Sequence, residues 1–435
     1  MRIVQITPGS GDSFYCENCL RDAALITAMQ KLGHDVLMVP LYLPVRGDKG
    51  QAVSDTPIFF GGLNVYLQQK SALFRKTPRW IDRLFDSPRL LDWVGRKAGM
   101  TSARDLGETT ISMLRAEQGR QIKELDRLVE WLSTQGNRPD VVCLSNILLS
   151  GLARRIKAKL GVPVLCLLQD EDGFLNGLVS PYAKQAWEMV GQRCGDVDAF
   201  VAVSRYYADV MRERLGLPAE RVHVAYTGIS LDGYKRREAQ PERPTIGYLS
   251  KMCFDKGLDT LADAFISLKK NEKLKGARLR IAGGKSANDE PFINQVRQRL
   301  SSCGLMDDVE FLEDFDLDSR LAFFQTLTVL AVPEKRPVAS GLYVLEALAA
   351  GVPFVQPASG VFVELLEITG GGVLYEPNNA EALASAMEPL LLETDNAREL
   401  GERGREVVFE KFNVEQTAEE MVRIYEVVVR HFSRE

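Results

Sequence analysis

RIVQITPGSGDSFYCENCLRDAALITAMQKLGHDVLMVP, residues 2–40, changes its pattern twice, and those changes decide the fold. Arg2–Thr7 is a short β-branched run that reads as a buried strand, and Pro8-Gly9-Ser10-Gly11 breaks it. From about Leu20 to Leu32, Leu20, Ala24, Leu25, Ala28, Met29 and Leu32 recur every three or four residues, which places them on one helical face. Gly33 stops the helix, and Asp35–Pro40 reads as a second strand. Strand, glycine turn, helix and strand make a βαβ unit.

The alternation recurs along the chain. Asp140–Leu144 precedes a helical stretch from Leu148 to Leu160, Gly161 and the strand Val164–Leu168; Asp198–Val203 precedes a helix to about Leu215. Residues 234–244 then turn charged and proline-bearing (KRREAQPERP), the best linker candidate. A second series starts at Thr245: TIGYLS, a helix from Leu258 to Lys270, and Ala277–Ala282. Further strands are expected at Val309–Leu312, Thr328–Val332 and Pro353–Gln356, and closing helices at Ala380–Leu392 and Val414–Phe432. Two doubly wound α/β domains facing across a cleft follow, with ligands at the carboxyl ends of the strands.

Composition narrows the function. The 435 residues are 45% hydrophobic and 26% charged, ordinary for globular chains, and the net charge of −5 argues against a nucleic-acid partner. No apolar run is long enough to span a bilayer, and the amino terminus lacks a signal-peptide pattern, so a cytoplasmic protein is expected. Seven cysteines in so long a chain are not a disulfide framework.

The most informative segment is residues 332–353, VPEKRPVASGLYVLEALAAGVP. A strand ends at Val332-Pro333, a loop carries Ser340-Gly341, and a helix starts at Leu342-Tyr343 and stops at Gly351. The unsatisfied N–H groups at that helix start form an anion site suited to a diphosphate. Glu346, one turn in, is within reach of a ribose hydroxyl pair. In Gly341, Glu346, Ala347, Ala349, Gly351 and Pro353 the segment resembles glycosyltransferase family 4, the retaining transferases of GT-B fold. The family's first glutamate falls on Val338, and Glu334 is the nearby carboxylate.

That resemblance implies more. In GYLSKMCFDKG, residues 247–257, Lys251 and Lys256 keep the spacing of the arginine and lysine that grip the donor phosphates in the family. The loop Gly9-Ser10-Gly11 and the pair Gly283-Gly284 stand where the family approaches the donor with glycine backbone, and Leu32-Gly33-His34-Asp35-Val36 matches the end of its first helix. Ser340, Gly341, Leu342 and Tyr343 complete the implied donor site. The domains would be an acceptor-side domain over residues 1–233 with a helical insertion at about 68–130, a nucleotide-sugar domain over 234–412, and a helix over 413–435 that crosses back.

The acceptor side is less specific. Where the family often carries a histidine, the chain has Gln169-Asp170-Glu171-Asp172; Gln169 or Glu171 would bind donor or acceptor hydroxyls, or the run is a solvated acidic loop. Cys16 and Cys19 lack the further ligands of a zinc site, so Cys16, Asn18 and Arg21 are read as acceptor-side candidates. Residues 70–104 hold nine basic and three acidic residues with Phe74, Trp80, Phe85 and Trp93 interspersed. This is either a surface for an anionic or lipid-linked acceptor, peripheral to the inner face of a membrane, or an ordinary helical lobe.

The expectation is a retaining glycosyltransferase with a UDP- or GDP-type sugar donor, an unidentified acceptor, no metal and no cofactor. A nucleotide-sugar-binding pseudo-transferase, a sugar-nucleotide epimerase and a phosphorylase-like enzyme are the alternatives.

Overall fold

A computed structural model describes residues 1–9, 15–42, 56–60, 103–237, 241–312 and 314–434. The chain forms two compact units. The first comprises residues 1–11, 22–226 and 417–435, and the second residues 12–21 and 227–416.

The first unit is built on a six-stranded sheet: β1 (Arg2–Thr7), β2 (Asp35–Pro40), β3 (Val141–Leu144), β4 (Val164–Leu168), β5 (Ala199–Ala202) and β6 (Val222–Val224). Their order is β2-β1-β3-β4-β5-β6, with every pair parallel. β3, β4 and β5 are buried throughout, which is why they read as continuous apolar runs. The direction of winding reverses between β1 and β3.

The second unit has its own parallel six-stranded sheet: β7 (Thr245–Leu249), β8 (Arg278–Ala282), β9 (Val309–Phe311), β10 (Val329–Leu330), β11 (Phe354–Pro357) and β12 (Gly372–Tyr375). The order β12-β11-β10-β7-β8-β9 puts the reversal between β7 and β10, the doubly wound arrangement of dinucleotide-binding domains. The expected pair of Rossmann-like α/β units is thus present.

Local differences from the sequence reading have physical causes. The first helix starts at Glu17, three residues early, with an acidic side chain in its first turn, where the helix dipole favours negative charge. The stretch expected as one helix from Leu148 opens as a 3₁₀ segment, Ile147–Leu152, before the α-helix Ala153–Leu160. There Gly151 lies so close to the Met113 carbonyl that a Cβ would collide. The chain passes between units at 11/12, 21/22, 226/227 and 416/417. Ile229 N–H donates to Phe412 O at 2.9 Å, Val414 N–H donates to Ile229 O at 2.9 Å, and Tyr234 is buried. Those bonds draw residues 227–237 into the second unit. Of the expected insertion, the helices Ala103–Arg115 and Ile122–Leu132 are described; residues 61–102, with Phe74, Trp80, Phe85 and Trp93, lie outside the described residues.

Candidate functional site

The sheet order reverses between β7 and β10, the place where open α/β sheets bind ligands, and most of the expected donor residues belong to the loops at the carboxyl ends of this sheet's strands. Beyond β7 the chain turns through a 3₁₀ segment, Phe254–Lys256, to Gly257. Gly257 has φ +69° and sits against the Pro333 carbonyl, which leaves no room for a Cβ. Lys335 N–H donates to Asp255 O at 2.9 Å, so the loops after β7 and β10 are bound to each other. Beyond β8, Gly283 at φ +121° packs its Cα against the Ser250 backbone, and Met252 N–H donates to Gly284 O at 2.9 Å.

Both expected cations are held by carboxylates. Lys256 Nζ lies 2.6 Å from Glu334 Oε1, and Tyr343 O–H donates to the same oxygen at 3.0 Å. Glu334 is 1% exposed, so its contacts set where the lysine head sits. Lys251 Nζ lies 3.1 Å from Asp289 Oδ2, and Tyr248 O–H donates to the Lys251 carbonyl at 2.9 Å. Burial and the Glu334 carboxylate hold the Tyr343 phenol well above its usual range.

The helix Leu342–Ala349 begins at Gly341, whose missing side chain offers no cap. Its first N–H, that of Leu342, instead donates to Glu17 Oε2 at 2.8 Å. Every residue of this helix is buried, including Glu346. The Glu346 carboxylate is enclosed: Arg320 Nε and Tyr234 O–H donate to Oε1, each at 2.9 Å, and Tyr15 O–H donates to Oε2 at 2.6 Å. Arg320 also donates to Phe315 O at 2.9 Å and lies 5.7 Å from the Tyr15 ring centroid. Burial first, then Glu346, pushes the Tyr15 phenol well above its usual range. Ser340 is half-buried before the helix, and Val338 is buried, its carbonyl accepting from Val361 N–H at 3.0 Å.

Lys251, Lys256, Gly283, Gly284, Ser340, Gly341, Leu342, Tyr343 and Glu346 therefore all lie in the second unit, as do Cys16, Asn18 and Arg21. Gly9, at φ +75°, belongs to the first unit; Ser10 and Gly11 lie outside the described residues. Among the described residues no three His, Cys, Asp or Glu side chains converge as metal ligands.

In the first unit Gln169 and Glu171 follow β4 and are buried, which excludes the solvated-loop reading for them. Glu171 accepts from Gln169 N–H at 2.7 Å, Ile147 N–H at 3.1 Å and Tyr207 O–H at 3.0 Å. Burial outweighs those bonds and raises its carboxyl to about 7. Asp170 between them holds φ +80°, a conformation that non-glycine residues adopt at an energetic cost. Gln169 donates to the Ser145 carbonyl, while Gln169 Oε1 and Ser145 Oγ are buried without a partner among the described residues.

Sequence reasoning missed Tyr15, Glu17, Tyr234 and Arg320. Arg320 alone left a signal: with Phe323 and Phe324 it shares the buried face of the helix Leu317–Gln325, where a cation needs a partner.

Residues 234–407 match the family described as Glycosyl transferases group 1, and residues 107–232 match Glycosyltransferase Family 4. A GDP-mannose-dependent alpha-(1-6)-phosphatidylinositol monomannoside mannosyltransferase of Mycobacterium tuberculosis is 30% identical over 234 residues, 50% of this chain and 59% of that one. The chain thus spans less than two thirds of that relative's length. N-acetyl-alpha-D-glucosaminyl L-malate synthase of Bacillus anthracis is 31% identical over 142 residues, 33% of this chain and 36% of that protein. Among solved structures, sucrose-phosphate synthase of Thermosynechococcus elongatus superposes with TM-score 0.72 at 17% identity, covering 99% of this chain and all of the other. Anabaena HepE in complex with UDP superposes with TM-score 0.67 at 16% identity, covering 98% of this chain and all of the other. Both share the GT-B fold.

Proposed function

We propose a reaction for this chain from one premise: it belongs to the glycosyltransferases, with residues 107–232 of the Family 4 kind and residues 234–407 of the group 1 kind. It moves a glycosyl group from a nucleoside diphosphate sugar to a hydroxyl acceptor, with retention at the anomeric carbon and without a metal ion. The supporting observation is a helix start with glycine at its N-cap, two lysines and two glycine turns in the loops around the reversal point of the second sheet.

The chemistry follows from charge. Breaking the bond between sugar and diphosphate leaves negative charge on the phosphate oxygens. Lys251, Lys256 and the N-terminal dipole of Leu342–Ala349 stabilise it without reorganisation. Asp289 and Glu334 fix the two ammonium groups, and each ammonium carries three N–H donors, enough for a carboxylate and a phosphate oxygen together. On a retaining path of the family type, the departing phosphate oxygen accepts the proton of the acceptor hydroxyl on the same face, so no protein nucleophile takes part. Glu334, committed to Lys256 and Tyr343, is a positioning residue and does not replace the glutamate that Val338 lacks.

GDP-mannose is the first donor to test, because the mycobacterial relative is named for it. UDP sugars form the comparison arm. The phosphatidylinositol monomannoside in that relative's name, with the basic and aromatic composition of residues 70–104, supports an anionic acceptor at a membrane surface. Among the described residues no helix is long and apolar enough to cross a membrane.

The experiment is a transfer assay with each donor in excess EDTA, with the product's anomeric configuration read by NMR. An α-linked product from an α-linked donor, undiminished by EDTA, is the expected result. Loss of turnover in EDTA, or an inverted product, refutes the reading. Epimerised donor without acceptor, or donor binding without turnover, assigns the chain to an epimerase or to a binding protein.

A further inference from the structure

We infer that the segment Tyr15–Glu17 is a built-in occupant of the donor pocket, filling the ribose and diphosphate positions until a nucleotide sugar displaces it; this rests on the donor-site reading above. Three bonds define the occupancy. Tyr15 N–H donates to Gly283 O at 2.8 Å, Tyr15 O–H donates to Glu346 at 2.6 Å, and Glu17 Oε2 accepts from Leu342 N–H at 2.8 Å. All of these residues belong to the second unit.

Each bond matches a group of the donor. A carboxylate on the first N–H of a helix is an anion where a phosphate would bind. A phenol donating to Glu346 takes the place of a ribose hydroxyl. The Tyr15 ring, 3% exposed, lies under Arg320 and fills the volume between the glycine turn after β8 and the helix Leu342–Ala349. The Leu342 amide has a single hydrogen, so Glu17 and a phosphate oxygen compete for it directly.

Donor binding is therefore an exchange. The apparent affinity is the intrinsic affinity reduced by the fraction of molecules in which the segment is out. Exchange also selects. A ligand carrying both a diphosphate and a ribose replaces both lost contacts. Pyrophosphate or a free nucleoside replaces one and leaves Glu346 without the Tyr15 hydroxyl or the helix start without the Glu17 carboxylate.

The test is calorimetric titration of the full chain with GDP, UDP, pyrophosphate and guanosine. It uses wild type, Tyr15→Phe, which keeps the ring and loses the hydroxyl, and Glu17→Asp, which keeps the charge and loses the reach. The expected result is a nucleoside diphosphate Kd lowered roughly ten-fold in each variant, the equivalent of one charge-assisted hydrogen bond withdrawn from the competitor, with the gain in the association rate. Pyrophosphate and guanosine should bind each variant better than wild type. Equal or weaker nucleotide binding in both variants, with wild type binding normally, overturns the inference and leaves the donor-site reading standing. If neither wild type nor either variant binds a nucleotide while all unfold cooperatively, both fall.

Discussion

Arg320→Met tests whether Glu346 is held as a charged carboxylate inside the second unit. The two side chains are 4% and 5% exposed and lie 2.9 Å apart, so neither has water as an alternative partner. Removing the arginine leaves a buried carboxylate with two tyrosine hydroxyls, and breaking a buried pair from one side costs about 3–5 kcal/mol. Neutralising both partners, Arg320→Met with Glu346→Gln, removes the stranded charge and should cost less than either single change. In a unit of about 200 residues a loss of 3–5 kcal/mol lowers Tm by on the order of 10 °C. The assay is a double-mutant cycle by urea unfolding followed through far-ultraviolet circular dichroism, because all four tryptophans lie in the first unit. A coupling energy of at least about 2 kcal/mol is expected. Single and double changes that simply add, or a single change costing under about 1 kcal/mol, would refute the charged-pair reasoning.

Other perturbations test neighbouring parts of the structure. Lys256→Met combined with Glu334→Gln, which avoids a stranded carboxylate, should weaken nucleoside diphosphate binding about ten-fold or more by calorimetry; unchanged affinity would remove Lys256 from the phosphate site. Gly257→Ala should destabilise the second unit by about 2 kcal/mol or more, because a Cβ there meets the Pro333 carbonyl at φ +69°; a wild-type Tm would contradict the packing. Glu171 sets a pH dependence. Its folded carboxyl is raised to about 7, so the stability it contributes is fully present below about pH 4.5 and is lost as pH rises through 7. Wild type should lose up to about 3 kcal/mol relative to Glu171→Gln between pH 4.5 and 8, and parallel stability curves from urea unfolding would count against it.

The fold was legible because parallel strands buried on both faces read as apolar runs, and glycine ends the helices that join them. Arg2–Thr7, Asp35–Pro40 and Val164–Leu168 appear in the structure with the expected limits. Short or half-buried strands such as Val222–Val224 were not legible, since three residues carry too little periodicity. Lys251, Lys256, Gly341 and Glu346 were named from the resemblance of two short local segments to the family, and all four lie in the second unit. Tyr15 and Tyr234 could not be read in this way: they stand 331 and 112 residues from Glu346, and only the tertiary fold brings their hydroxyls to its carboxylate. The charges in KRREAQPERP looked solvent-bound, yet Arg237 is buried enough to lower its guanidinium to about 10 and donates to Gly351 O at 3.0 Å.

The closing helix, Val414–Phe432, buries Ala418, Met421, Val422, Ile424, Tyr425 and Val428, and its residues from Thr417 onward complete the first unit. On the ribosome this imposes an order. β1–β6 of the first unit are all made before β7, yet the unit's last piece emerges about 190 residues after β6, an interval of roughly 10–40 s at about 5–20 residues per second. By then every residue of the second unit, including 12–21, has been synthesised. The unit that starts first is thus the one that can finish only last, and its uncovered apolar surface during that interval is the part of the nascent chain with most need of a chaperone.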